Sequence, residues 1–279
     1  MSRLHLTSIH ALPASPYGGE RFSAVLQPQG LPVTIKRTSF RRYVDANAAI
    51  REAVMLAGLK HEGIVTVYDC YIDQEGEELR LNLVTEAVEK SLLMEIEERV
   101  EKGEAWTDEE LFKLFKAVLG CLTCAQAKSI SHRNITPTSI FLTPTGPKLT
   151  QFSLSIGNLN LVAHRTSIIG DVFYYSPELK EAFLADQSGS EEQKFAYDPI
   201  KSDVFALGVT MLYTASLRKP AALSRIIHLE KAISELLTDI RQYPTMQWFI
   251  GWMLTIESAS RPTFAQISDY IAKWEAGNL

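Results

Sequence analysis

The chain has 279 residues, 46% of them hydrophobic, which allows a sizeable buried core in one two-lobed unit or two small domains. Its net charge of −5 offers no broad attraction to nucleic acid or anionic lipid, and no apolar run is long enough to cross a bilayer. Three cysteines, Cys70, Cys121 and Cys124, do not make a disulfide framework and fit a reducing compartment.

The stretch from Met1 to Gly19 is interrupted by His10, Pro13 and Pro16, so no signal peptide is expected and a cytosolic or nuclear location is. Phe22 to Leu26 is apolar and β-prone, Pro28-Gln29-Gly30 reads as a turn, and Val33 to Lys36 reads as a second strand of the same hairpin. Asp45 to Leu59 is alanine-rich and predicts a helix capped by Asp45, with Gly58 near its end. Ile64 to Ile72 and Leu79 to Thr85 predict strands joined by an acidic turn at Asp73 to Glu78.

From there the pattern turns helical. Thr107-Asp108-Glu109-Glu110 is a capping box, followed at helical period by Leu111, Phe112, Leu114, Phe115, Val118, Leu119 and Leu122. Further helices are predicted over Lys201 to Leu217, Pro220 to Ile240, Met246 to Leu254 and Phe264 to Ala276. The polar run from Ala185 to Tyr197 predicts a surface loop, and Glu95 to Lys102 a charge-rich helix surface. Cys121 and Cys124 stand one helical turn apart, but without a second pair they read as packing residues and no metal site is expected. Strands first and helices after, with a break near Val88 to Ser91, predict an α+β protein of two lobes.

The motifs in order carry a resemblance. Val33-Thr34-Ile35-Lys36 is similar to V-A-I-K, and Glu52 followed by His61-Glu62-Gly63-Ile64-Val65 resembles a helix-C glutamate followed by H-P-N-I-V. His132-Arg133-Asn134-Ile135-Thr136-Pro137-Thr138-Ser139 resembles the H-R-D-x-K-x-x-N loop, Gln151-Phe152-Ser153 stands at D-F-G, and Ser176-Pro177-Glu178 resembles A-P-E. Ser202 to Gly208 and Arg261-Pro262 complete the series. On these motifs the chain is identified as a member of the protein kinase superfamily, most like the NIMA-related serine/threonine kinases through Asn134 to Leu142 and Phe173 to Glu178.

That resemblance implies a kinase-like fold over residues 1–279, with an N-lobe over about 1–86, a hinge over about 86–91 and a C-lobe over about 92–279. It places a vestigial nucleotide pocket at Lys36, Glu52, Thr85, Glu86, Val88 and Phe141. Lys36 pairs with Glu52 in this reading, Glu178 meets Arg261, and Leu56, Val67, His132 and Phe152 stack between the lobes.

The residues that carry phosphoryl transfer in the family have changed. Asn134 cannot accept a proton as a base, Thr136 carries no cation, and Ser139 and Gln151 are neutral where metal ligands belong. Gly18-Gly19-Glu20-Arg21-Phe22-Ser23 resembles a phosphate loop with two glycines replaced by Glu20 and Ser23, and Asp171 stands where the family has a threonine. The expectation is therefore a pseudokinase and no enzyme: a scaffold or allosteric partner of other proteins, an active kinase or a cytoskeletal or ciliary assembly among them by family analogy. It carries no metal or cofactor, no nucleic-acid or membrane partner, and is cytoplasmic. Two alternatives stand beside it: a serine/threonine kinase with atypical residual activity, in which Glu20 or Asp171 is recruited, and a sensor that binds ATP without Mg²⁺. Thr166 and Ser167 read as unphosphorylated loop residues.

Overall fold

The computed structural model describes residues 4–12, 19–152, 156–157, 162–163, 171–187 and 195–277. The chain divides into two units, Met1–Glu89 and Lys90–Leu279.

The first unit is an antiparallel five-stranded sheet with one helix. Strands β1 (His5–Leu12), β2 (Glu20–Gln27) and β3 (Leu31–Phe40) precede helix α1 (Tyr43–Gly58), and β4 (Val67–Glu75) and β5 (Glu78–Glu86) follow it. Their order is β1-β2-β3-β5-β4. The β2–β3 hairpin turns at Pro28 to Gly30, where Gly30 takes a positive φ that glycine adopts at no steric cost. Alternation puts Ala24, Leu26, Val33, Ile35 and Val84 into one apolar cluster. α1 buries Ala46, Ala53 and Leu56, spaced for one face of a helix, and packs on β4 and β5.

Two expectations are corrected here. α1 begins at Tyr43, so its N-cap is Arg42, with no side-chain cap, and Asp45 is a first-turn acid instead of the cap. β4 begins at Val67, three residues later than the apolar run suggests. Ile64 and Val65 are buried, but Ile64 N–H donates to the His61 carbonyl at 3.0 Å in a turn. The N-terminal stretch, for which the sequence predicts no element, contributes the edge strand β1.

The second unit opens with β6 (Lys90–Ser91), α2 (Leu92–Lys102), α3 (Asp108–Ala127), β7 (Ile130–Ser131), β8 (Ile140–Thr143) and β9 (Gly146–Leu149). Short strands β10 (Ile156–Gly157), β11 (Val162–Ala163) and β12 (Phe195–Ala196) follow, with α4 (Pro177–Gln187) before β12. α5 (Pro199–Ser216), α6 (Leu229–Thr238), α7 (Pro244–Met253) and α8 (Phe264–Glu275) complete it. The Thr107 capping box forms as the sequence predicts, with Thr107 and Glu110 each bonding the other's backbone. α5 is buried nearly all round, capped by the Asp198 carboxylate and ended by Leu217 in the left-handed region. α3, α5, α7 and α8 pack around Phe115, Leu122, Phe205, Phe249 and Phe264.

The helix expected over Pro220 to Ile240 is split. Ala221–Ser224 forms one 3-10 turn, Arg225 is extended, and His228 takes φ 62° before α6 starts. The apolar pattern continues across this break, so periodicity alone does not reveal it. The loop expected from Ala185 begins later, since α4 runs to Gln187; residues 188–194 lie outside the described residues.

Candidate functional site

The loop between β7 and β8 is held in place by a buried carboxylate. Asp203, on α5 and 3% exposed, accepts from the His132 N–H at 2.6 Å, from the Arg133 N–H at 2.8 Å and from the Ser131 hydroxyl at 2.7 Å. Burial pushes its carboxyl up to about 6, against the pull of these hydrogen bonds. α5 adds a second anchor, since the Thr210 hydroxyl donates to the Ile135 carbonyl at 3.1 Å.

His132 is fully buried, and its partners fix its tautomer. The Thr150 carbonyl, 2.8 Å from Nε2, can only accept, so Nε2 carries the hydrogen. Nδ1 then accepts from the Asn134 N–H at 3.2 Å. A second proton on Nδ1 would face another donor in a dry environment. Burial accordingly lowers the imidazole to about 4, against the opposing Thr150 bond, and His132 is neutral at pH 7. The Phe152 ring meets it edge-on at 4.4 Å.

Asn134 and Gln151 are joined in a relay. The Gln151 amide nitrogen donates to the Thr138 carbonyl at 2.8 Å. A carbonyl only accepts, so the other Gln151 amide atom must be the oxygen, which accepts from Asn134 Nδ2 at 3.1 Å. Asn134 Oδ1 is left buried and without a hydrogen-bond partner among the described residues. Arg133 and Gln151 both take positive φ, 62° and 63°. Left-handed backbone at a non-glycine residue costs about 1 kcal/mol or more, so two such residues at one relay store local strain.

Thr136 and Ser139 are brought together, but each is used within the loop. Ser139 is fully buried; its Oγ accepts from the Thr136 N–H at 3.1 Å and donates to the Thr136 carbonyl at 2.9 Å. Thr136 Oγ1 lies 2.8 Å from Thr138 Oγ1. Beside the loop is a concavity of about 460 Å³, open mouth included, lined by Arg133, Asn134, Asp171, Tyr175 and Leu179 among others. Asp171 accepts from the Phe173 N–H at 3.0 Å and so caps the 3-10 turn Val172–Tyr174.

The residues assigned to a nucleotide pocket are placed as follows. In the first unit, Lys36 is half-buried on β3 opposite Leu83 of β5. Thr85 Oγ1 lies 3.2 Å from the Glu86 carbonyl and 3.5 Å from that of Thr34. The Glu86 carboxylate accepts from the Thr66 N–H at 3.2 Å, and Val88 is buried. Glu52 falls within α1, but its side chain, and with it the expected pairing to Lys36, lies outside the described residues. Gly18, Ser153, Thr166 and Ser167 also lie outside them. In the second unit Phe141 is buried on β8 opposite Ser91 and Lys148. Glu20 lies 3.9 Å from the Arg37 guanidinium. Sequence reading missed Thr138, which acts through a backbone carbonyl and leaves no residue-type signature, and took Asp203 only as part of the Ser202 to Gly208 motif; its anchoring role appears only once α5 is folded against the loop.

Comparison with known proteins identifies the chain. The protein kinase domain family matches residues 18–271, and the chain belongs to that family. It is 25% identical over 260 residues to the serine/threonine-protein kinase PAK 4 of Mus musculus, covering 91% of this chain and 40% of that protein. It is 28% identical over 173 residues to the serine/threonine-protein kinase PrkC of Bacillus subtilis strain 168, covering 61% of this chain and 24% of that one. The chain thus spans well under two thirds of the length of these relatives. These matches overturn the expectation that the chain is no enzyme: the family and both relatives are kinases by name. The inference from Asn134, Thr136, Ser139 and Gln151 to inactivity also went further than the chemistry allows. Removing a catalytic side chain leaves the rate gained from positioning and from the remaining electrostatics.

The family implies ATP and divalent cations. The donor set at this loop does not fit such a cation. The Gln151 oxygen is taken by Asn134, and Ser139 Oγ is enclosed and committed to Thr136. Among the described residues no group of three His, Cys, Asp or Glu side chains could hold a metal ion. No helix among them is long and apolar enough to cross a membrane.

Proposed function

We propose that this chain is a protein kinase acting on serine or threonine hydroxyls, with turnover well below that of its relatives. The observation that carries the reading is family membership across residues 18–271, together with relatives named as serine/threonine-protein kinases. The loop geometry is compatible with it. Asp203 holds the His132–Arg133 backbone rigid, the Asn134 side chain is presented beside the concavity, and Arg133 brings a fixed positive charge to the same wall. Neither Glu20, which pairs with Arg37, nor Asp171, which caps its own turn, is held ready as a recruited base.

The test is transfer from ATP to a serine- and threonine-containing acceptor protein, with the modified residues read by mass spectrometry. The wild-type chain should phosphorylate hydroxyl side chains above background, and Lys36→Ala should abolish this. Equal background in both proteins would remove the reading.

A second reading, ATP bound without Mg²⁺ as a conformational signal, is favoured by the closed Asn134–Gln151–Thr138 relay, which engages both ends of the Gln151 amide and offers no carboxylate to a cation. A ligand that binds only the folded state raises its stability. Here ATP raises Tm equally in Mg²⁺ and in EDTA, whereas no shift in either condition removes this reading. Protein partners in cytoskeletal or ciliary assemblies, and a cytoplasmic location, belong to the proposal only through the NIMA-like motifs.

A further inference from the structure

Lys180 of α4 is a lysine in an unusual place. It is 2% exposed, and its Nζ is buried without a hydrogen-bond partner among the described residues. The nitrogen lies 5.3 Å from the centroid of the Phe205 ring, on α5. The Arg261 guanidinium lies 5.1 Å from the same ring. Lysine is almost never buried unless paired, because three N–H donors stripped of water need acceptors.

The charged groups around it do not supply them. On its own helix, Glu178 gives both carboxylate oxygens to Arg261, at 2.9 and 3.1 Å. On α5, Lys201 donates its ammonium to the Arg261 carbonyl, and Asp203 is occupied by the His132 and Arg133 backbone. From the segment before α8 comes Arg261 itself. With Lys180 protonated, two cations, Lys180 and Arg261, face the one carboxylate of Glu178, and both of its oxygens are already given to Arg261. The ring face of Phe205 offsets a desolvated cation only in part. The least costly response is loss of the Lys180 proton, which leaves a neutral amine packed on an aromatic ring. The lowered affinity of this amine, to about 8, agrees; burial is the main cause, Arg261 adds to it, and Glu178 opposes it.

The position matters for the concavity beside the loop. Leu179, the preceding residue, and Tyr175 both line it. Anything that shifts the first turn of α4 moves that wall. We infer that Lys180 is a positioning residue whose protonation state sets how firmly α4 is seated on α5, and so the shape of the wall formed by Tyr175 and Leu179. Neutral, Lys180 fills its place beside Phe205. Protonated, it draws the first turn of α4 towards water. This inference does not depend on which substrate the concavity takes.

The experiment is native-state hydrogen exchange of the α4 amides between pH 6.5 and 9.5, corrected for intrinsic exchange, in the wild type and in Lys180→Met. In the wild type, protection of residues 177–183 should rise about tenfold or more across this range, as the amine loses its proton. In Lys180→Met protection should be high and flat. Parallel slopes in the two proteins overturn the proposal. Should the variant not fold, the Lys180 amine is titrated directly in the wild type by nitrogen-15 NMR, assigned with Lys180→Arg. A midpoint at the ordinary value of a lysine, or wild-type α4 amide protection that does not rise through the midpoint, overturns the proposal; a midpoint near 8 with protection rising through it upholds it.

Discussion

Arg261 and Glu178, 83 residues apart in sequence, form a two-pronged ion pair at 2.9 and 3.1 Å in which the arginine is wholly buried. The guanidinium is fully used: it also donates to the carbonyls of Thr255, Ile256 and Lys201. Removing it leaves a carboxylate and three carbonyls without their donors. We expect Arg261→Met to lose about 3 kcal/mol or more of stability in urea denaturation. Removing the exposed pair Lys273–Asp269 should cost about 0.5 kcal/mol or less. A loss at Arg261 no larger than at Lys273 would contradict the assignment of Arg261 as a structural hub.

His132 and Asp203 give opposing acid responses. The folded-state imidazole titrates near 4 against 6.5 in the unfolded chain, so stability falls as pH drops through that window. The Asp203 carboxyl titrates near 6 in the folded state against 3.8, so stability rises as pH drops between those values. Each term is worth about 3 kcal/mol at full extent, and over this range they largely cancel. His132→Phe should therefore gain stability relative to wild type as pH falls from 6.5 to 4, and Asp203→Asn should lose it. Thermal unfolding of the three proteins across this range measures both; identical pH slopes in all three would rule the assignments out.

The relay makes a directional prediction. Gln151→Glu keeps the shape and the acceptor for Asn134, but sets a carboxylate oxygen against the Thr138 carbonyl. It should cost about 1–3 kcal/mol at pH 7, and less at pH 4 where the acid can take up a proton and donate. An unchanged stability at pH 7 would show that the amide does not donate to Thr138.

Gly208, in the middle of α5, is a packing glycine. An added Cβ would meet Leu254 Cδ2 at 2.9 Å and Met253 Cβ at 3.1 Å. Gly208→Ala should gain helix propensity yet lose about 1–3 kcal/mol net through overpacking against the end of α7. A more stable variant in chemical denaturation would mean that Leu254 swings aside freely.

Much of this was legible in the sequence. The apolar, β-prone run at Phe22 to Leu26, the turn at Pro28 to Gly30 and the capping box at Thr107 are local signals, and they produced the elements they predict. α1's start was missed because Tyr43 lies two residues ahead of the residue best suited to cap, and its hydroxyl is tied to Gln74 on β4 at 3.0 Å. The break before α6 was missed because a left-handed His228 leaves the apolar pattern intact. At the site, the residue types at 134, 136, 139 and 151 were readable, but their use was not. That Asn134 and Gln151 bond to each other, and Ser139 to Thr136, depends on side-chain directions that only the folded loop defines. The reading of inactivity failed at another step, by treating altered side chains as a substitute for a measured rate.

We propose that this kinase-domain chain still moves phosphate. The most direct measurement is incorporation of radioactive γ-phosphate from ATP into an acceptor protein, followed over time in Mg²⁺ and in EDTA, with Lys36→Ala alongside. The wild type should label serine or threonine slowly and stably, and Lys36→Ala should not. Label at background for both proteins in both conditions, with the chain folded throughout, would contradict it.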